Sequence, residues 1–351
     1  MRILVTGSTG YIGSRLIPAL LDEGHSVVAA MRDPAKKSQF AWGDAVEARH
    51  FDMTDSESFA TVTDSIDAVV YLVHSMDDGD FVQRDREAAE HMVDAAKANG
   101  VHRIVYLSGL VPEGVDDLSD HVRSRLQIED VFMDSGIEST VLRAAIILGS
   151  GSTSFELVRR MVERLPITPV PAWMVKRVQP ISVGDVISIL AASLHDKAVP
   201  GSFDIGGDAV MTYPELLDTY AEIAELKRRQ VTVPLLPTPV VGHAVAGITE
   251  MPTGTVESLV ESLHHDMVVT RGNAATDQFA DAVGTPMPVR EAMIRSITVV
   301  DGDGTDDDVD PHAAADSDPE WAGGVVTIED GDVAHKPTGV LGRLGLGKTD
   351  K

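Results

Sequence analysis

The stretch Gly7-Ser8-Thr9-Gly10-Tyr11-Ile12-Gly13 lies between a β-branched run, Arg2–Thr6, and a segment of helical spacing, Tyr11–Glu23. Each glycine has a physical use in such a strand–turn–helix. Gly7 permits the tight turn, Gly10 lets the backbone approach a ligand, and Gly13 lets helix and strand pack closely. A helix beginning there offers free N–H groups and the positive end of its dipole, which suit a phosphate. Strand, glycine turn, helix and following strand occur in the order a dinucleotide site requires. Gly7, Ser8, Thr9, Gly10, Tyr11, Ile12 and Gly13 are therefore expected to hold a pyrophosphate.

The end of the next strand bears on which dinucleotide. A carboxylate there usually accepts from a ribose 2′-hydroxyl, whereas an arginine suits a 2′-phosphate. The chain reads Met31-Arg32-Asp33. Arg32 favours NADP, with NAD the alternative if Arg32 is only an exposed turn residue and Asp33 binds the ribose. Asp52 and the adjoining Met53, after the third strand, are placed to meet an adenine. A helix N-cap at Asp52 or Thr54 is the competing role.

These residues need a scaffold, and the first 150 residues supply its pattern. Short apolar runs at Arg2–Thr6, Ser26–Met31, Val46–Phe51, Ala68–Val73, Arg103–Leu107 and Ser139–Leu142 alternate with helical stretches at Tyr11–Glu23, Asp80–Asn99 and Asp120–Asp134. Strands separated by helices imply an α/β fold, a Rossmann-type doubly wound parallel sheet with helices on both faces. Residues 151–298 are less regular. Helices are expected near Phe155–Leu165, Val183–His195, Tyr213–Glu225, Thr255–His264 and Val289–Thr298. Short strands are expected at Gln179–Ser182, Ser202–Ile205 and Gln230–Pro234, and a loop at Pro166–Pro171. This half reads as a smaller, mixed substrate-side lobe, with Phe155, Trp173 and Arg177 as candidate lining residues. Residues 299–351 carry 13 acidic and 4 basic side chains, are rich in Gly and Asp, and lack periodicity, so an acidic, disordered tail is expected. Its DGDGTDDDVD run is not a calcium loop: Asp306 stands where Gly is needed and His312 where Glu is needed.

Composition narrows the functions. The 351 residues include no cysteine, which excludes thiolate chemistry, disulfides and iron–sulfur clusters. No HExxH-like spacing suggests a metal, and none is expected; His91, His264 and His265 read as solvated or packed. The net charge is −26, from 55 acidic and 29 basic residues, which disfavours nucleic acid and anionic lipid surfaces. No apolar run reaches the length of a membrane span, so no membrane insertion is expected. The first residues read as a strand rather than a signal peptide, and a cytoplasmic protein is the expectation. With 36 Asp to 19 Glu and 9 Lys to 20 Arg, the surface suits solubility in high salt. Codon usage in a GC-rich genome gives the same bias.

Several segments together resemble the short-chain dehydrogenase/reductase superfamily in its extended and atypical branches. GSTGYIG is similar to that family's GxxGxxG. Asp67–Ser75 falls where its fourth strand passes the cofactor, which implies roles for Val73 and His74. Leu107-Ser108-Gly109 is similar to the segment holding the catalytic Ser, Leu142-Arg143-Ala144 to the motif after strand six, and Ile181–Val186 and Phe203–Leu216 to second-lobe segments. Tyr71–Met76 and Ser119–Arg125 look most like the NmrA-like, YbjT-like NAD(P)H-binding proteins. The resemblance covers roughly residues 1–298. Relatives of this kind include a respiratory complex I accessory subunit, sugar epimerases and aromatic-alcohol reductases, so a protein partner enters the possibilities.

The departure is chemical. The superfamily's enzymes use Tyr and, four residues on, Lys; the Lys lowers the Tyr pKa and holds the nicotinamide ribose. Here those places hold His121 and Arg125. In one reading His121 is the general acid/base, Arg125 a fixed cation for ribose or phosphate, and Ser108 polarises a small-molecule carbonyl, quinone or enone. In a second, the protein binds NADP(H) without efficient turnover, as a sensor or assembly partner. In a third, another group such as His74 acts, against which stands an ordinary strand-end role for that residue; a surface-helix role likewise competes for His121. An epimerase normally needs the missing Tyr.

Overall fold

Alternation in the first strand assigns two faces to the molecule. In β1 (Arg2–Val5), Ile3 and Val5 enter one core and Leu4 the other, as the two-residue period of an extended chain requires. The computed structural model of the chain describes residues 1–73, 81–112, 114, 119–234, 237–270, 276–300 and 310–336.

The first half runs β1, α1 (Tyr11–Asp22), β2 (Ser26–Met31), β3 (Glu47–His50), α2 (Ser56–Val62), β4 (Ala68–Tyr71), α3 (Phe81–Ala98), β5 (Arg103–Gly109), α4 (Asp120–Met133) and β6 (Glu138–Ala144). The second half continues with β7 (Ile147–Leu148), α5 (Thr153–Arg164), β8 (Ile167–Pro171), β9 (Arg177–Val178), β10 (Ile181–Ser182), α6 (Val183–Ala192), β11 (Gly201–Ile205), β12 (Met211–Thr212), α7 (Tyr213–Ile223), β13 (Arg229–Val233), α8 (Thr238–Thr249), α9 (Thr253–Ser262), α10 (Thr276–Val283), α11 (Val289–Ile297), β14 (Val326–Glu329) and β15 (Asp332–His335).

Seven strands form one parallel sheet in the order β11-β6-β5-β4-β1-β2-β3. Helices α1 and α6 cover one face through Leu16, Ile17, Leu20, Val186 and Leu190. Helices α2, α3 and α4 cover the other through Phe59, Met92, Ile128 and Phe132. A third core joins α5, α7, α8, α9 and α11 in the C-terminal lobe. The doubly wound Rossmann-type architecture expected from the alternating runs is present.

The structure differs from the sequence reading in three places. First, β11 pairs in register with β6 and α6 packs on α1, so residues 181–205 help build the main sheet rather than a separate lobe beginning at residue 151. Second, Pro166–Pro171 is not a loop, because Ile167–Pro171 pairs with Arg229–Val233. Proline is tolerated there because each strand of a two-stranded ribbon has an unpaired edge.

Third, residues 310–336, inside the segment expected to be disordered, are folded. Val326 and Ile328 enter the C-terminal core, and Val299 N–H donates to Ile328 O at 2.9 Å. Arg15 of α1 donates to both carboxylate oxygens of Asp318 at 2.9 Å, to Pro311 O at 2.9 Å, to Ser150 O at 3.0 Å and to Ala313 O at 3.1 Å. His312 is buried between Ser182 Oγ and Asp310. The composition signal failed because a few specific partners, not a periodic apolar face, hold this segment. The acidic run at 301–309 and residues 337–351 lie outside the described residues.

Replacing Asp318 by Ala strands a guanidinium that is nearly enclosed. The expected loss is about 3–5 kcal/mol in urea unfolding, with Arg15→Met in the same chain recovering most of it.

Candidate functional site

The glycine turn is shaped by what its glycines lack. Gly7 sits at φ +65°, in the left-handed region, and a side chain there would meet Leu72 O and Val73 Cγ1 at 3.2 Å. A Cβ on Gly13 would lie 2.3 Å from Gly7 O and 2.8 Å from Ser8 Cα, so helix and turn touch backbone to backbone. Gly10 N–H donates to Gly7 O at 2.9 Å, and Ser8 Oγ–H to Ala30 O at 2.8 Å, fixing the turn against β2. Gly10 is the N-cap of α1, with no side-chain cap bond, and Thr9 and Gly10 are exposed. The first amides of α1 are thus left without intrahelical partners at an open surface. A cradle of bare backbone with an uncapped helix end fits a diphosphate.

Tyr11 contributes differently from its neighbours. Its ring lies under the Arg15 guanidinium at 4.2 Å, and its buried hydroxyl occupies the space a side chain on Gly149 would need. Burial pushes the phenol well above its ordinary range, so only its backbone is offered to a ligand.

At the end of β2, Arg32 is exposed, and its carbonyl accepts from His50 Nδ1 at 2.8 Å. Asp33 accepts from Ala35 N–H and so caps the turn that follows. Asp52 accepts from both Thr54 N–H and Thr54 Oγ1–H at 2.9 and 2.8 Å, which holds its carboxyl below the ordinary carboxylate range. Neither Asp52 nor Thr54 caps the next helix; Asp55 does, through Glu57 N–H. Met53 packs on the core beneath. Val73, half-buried, lies against Gly7. His74 lies outside the described residues.

The second group forms at the end of β5. Tyr106 and Ser108 share the strand face that α4 covers. Ser108 Oγ is buried with no hydrogen bond of ordinary length. The Arg125 guanidinium lies against Gly109, where a Cβ would meet it at 2.7 Å. His121, one turn earlier on α4, is on the same side of that helix. Its ring stacks on Phe81 at 4.8 Å, and Nε2 lies 2.5 Å from Ser258 Oγ of α9. Ser258 has one proton; given to Gly254 O at 2.9 Å, it makes the hydroxyl an acceptor from Nε2–H and leaves Nδ1 as the basic nitrogen. Burial first, then Arg125, hold the imidazole below its ordinary value of 6.5, against the opposite pull of Asp120 and Asp85.

Sequence reasoning missed Asp85. It is buried on α3, accepts from Ser124 Oγ–H at 2.7 Å, and lies near enough to His121, Tyr71 and Tyr106 to act on each. The signal was present: Asp85 falls on the apolar stripe defined by Phe81, Ala88, Ala89 and Met92, where a carboxylate needs a reason. Of the lining residues expected in the second lobe, Phe155 is wholly buried against Tyr220, Arg177 pairs with Asp266, and Trp173 stacks on His264 at 4.2 Å.

Because the sheet is parallel, the glycine turn and the β5 group lie along one edge, at the C-terminal ends of the strands. The fold and this edge define a nicotinamide-dinucleotide-binding protein. Residues 7–172 match a family model described as NAD(P)H-binding. A mitochondrial NADH dehydrogenase (ubiquinone) 1 alpha subcomplex subunit 9 of Arabidopsis thaliana is 24% identical over 240 residues, covering 66% of this chain and 60% of its own. This chain thus spans less than two thirds of that relative. Sterol demethylase protein B of Methylococcus capsulatus is 25% identical over 260 residues, covering 67% and 78%. The structure of Citrobacter sp. triphenylmethane reductase complexed with NADP(H) superposes with a TM-score of 0.65 at 18% identity, covering 84% of this chain and 99% of that one. Residues 7–172 thus form an NAD(P)H-binding domain, on a fold similar to that of the reductase.

Gly13→Ala should cost about 1–3 kcal/mol by forcing helix from turn, and should weaken NAD(P)H binding more than tenfold in a fluorescence titration. Gly247→Ala, where a Cβ meets nothing within 4 Å, is the control. The His121 imidazole, followed by NMR, should titrate below 6.5 and move upward in Arg125→Gln. Stability from its neutral form is full above 6.5 and is lost as pH falls toward the folded midpoint.

Proposed function

We propose that this protein is an NADPH-dependent reductase of a carbonyl, quinone or enone. The observation that carries the reading is the gathering of Ser108, His121 and Arg125 at the same sheet edge as the bare helix end. A reduced nicotinamide supplies a hydride to the substrate carbon. Ser108 Oγ–H, buried at the end of β5, donates to the substrate oxygen and polarises the double bond. His121 delivers the proton that oxygen takes as negative charge develops on it. Arg125 is the permanent cation that Lys provides in relatives. It holds ribose or phosphate oxygens, and it also depresses the His121 pKa rather than that of a Tyr.

Arg32 is the reason for preferring NADP over NAD. It is exposed at the end of β2, while Asp33, the alternative ribose partner, already serves Ala35 N–H. Asp52 and Met53 are assigned to the adenine side. A cytoplasmic location accords with this reading, and among the described residues no helix is long and apolar enough to cross a membrane.

One observation favours a second reading, an NADP(H)-binding sensor or assembly partner. The His121 ring is engaged on both sides, by Phe81 and by Ser258. The Arabidopsis relative is a subunit of a larger complex by name.

NADPH oxidation with quinones and aldehydes separates the two. Turnover lost about 100-fold or more in His121→Ala, with NADPH affinity kept, is expected of the reductase. Saturable NADPH binding with no turnover on any acceptor supports the sensor. Since the imidazole must be protonated to act as an acid, reductive kcat/KM should fall as pH rises through a midpoint below 6.5. Arg32→Ala should weaken NADPH much more than NADH; equal losses would remove the 2′-phosphate role.

A further inference from the structure

The C-terminal lobe encloses a cavity of about 460 Å³. Its walls are Leu157 and Met161 of α5, Leu217 of α7, Val241 and Val245 of α8 and Leu259 of α9. No charged side chain lines it among the described residues. Its polar side chains are Ser154, Tyr213 and Ser262; the Tyr213 hydroxyl faces Ser262, whose own proton goes to Leu259 O at 2.6 Å.

Protein interiors close voids larger than a water molecule. This space equals roughly fifteen waters, yet water would find few partners in it. A charged ligand, such as the diphosphate of a nucleotide sugar, would be desolvated there without a counter-ion. An uncharged, hydrocarbon-rich molecule is the occupant that both conditions allow.

Two elements join the cavity to the β5 group. Ala145 and Ile146 line it directly after β6, whose Ala144 is paired with Gly109. Leu259 lines it directly after Ser258, the partner of His121. The wall also continues outward. Pro169 and Val233 line the cavity, and Ile167 and Val231, two residues earlier on the same strand faces, are exposed. Val240, which lines the cavity from α8, is exposed as well. The mouth is as apolar as the interior.

We infer that this cavity holds the hydrocarbon body of a neutral, poorly water-soluble substrate whose reducible group reaches Ser108 and His121. The assignment of that group rests on the reductase reading above; the assignment of the cavity does not.

The test uses Nile red, a neutral apolar dye, on the full chain, displaced by straight-chain alcohols from butanol to dodecanol. Saturable dye binding is expected, with alcohol affinity rising about fourfold per added methylene until the cavity is full. Ala244→Trp fills the space from an exposed position on α8, and Val241→Asp puts a charge in it. Each should weaken dye and dodecanol at least tenfold with NADPH affinity unchanged; Ala244→Trp should also leave the unfolding midpoint in place, whereas Val241→Asp lowers it by desolvating its carboxylate. A chain-length series without slope, or both variants binding as the parent does, overturns the cavity assignment even if NADPH turnover is found. A steep series in a protein that turns over no acceptor keeps the cavity and removes the reductase reading.

Discussion

The contact between backbone and backbone at Gly7 and Gly13 is the constraint on which the rest depends. Any side chain at Gly13 would sit inside Gly7 O, so α1 can close on the turn after β1 only because Gly13 has none. That approach places the open end of α1 at the sheet edge. It also sets Gly7 against the end of β4, next to the strand that carries Ser108. A cofactor cradle and a candidate reaction centre are thereby parts of one edge, related by strand order rather than by sequence proximity.

The second centre is held more by side chains than by backbone. Arg125 lies against Gly109, His121 is stacked on Phe81, and Asp85 of α3 bonds Ser124 and acts on His121. Exchanging Tyr and Lys for His and Arg changes what the pair can do. A phenol needs a neighbouring cation to titrate near neutrality; an imidazole titrates there unaided, and the cation pushes it lower. The same arrangement of one titrating group and one fixed charge survives with the proton affinity set by different causes.

Much of the sheet was legible because its residues obey local rules. Arg2–Thr6, Ser26–Met31 and Ala68–Val73 read as strands because both faces of a parallel sheet are buried and the runs are apolar throughout. The glycine turn was legible for the same reason, since steric demands at Gly7, Gly10 and Gly13 leave a fixed spacing. The lobe was less so. Ile167–Pro171 carries two prolines and reads as a loop until its partner Arg229–Val233 is known. Helix α8 begins behind prolines in a Val- and Gly-rich run with no polar face to reveal its period. Asp85 and Arg15 were passed over because isolated charges in amphipathic helices are ordinary, and only tertiary structure shows them buried. The cavity has no signature at all, being made chiefly of side chains from four helices and two strands that sequence analysis treats as core.

Arg15 has a consequence for how the chain is made. Its Asp318 partner lies 303 positions downstream, so synthesis from the amino terminus separates the two by roughly 15–60 s. During that interval the sheet's opening units can collapse, but the guanidinium beside the cradle stays hydrated and α1 lacks one of its anchors. Only arrival of the distal acidic segment converts a wetted crevice into the sealed flank seen in the finished molecule.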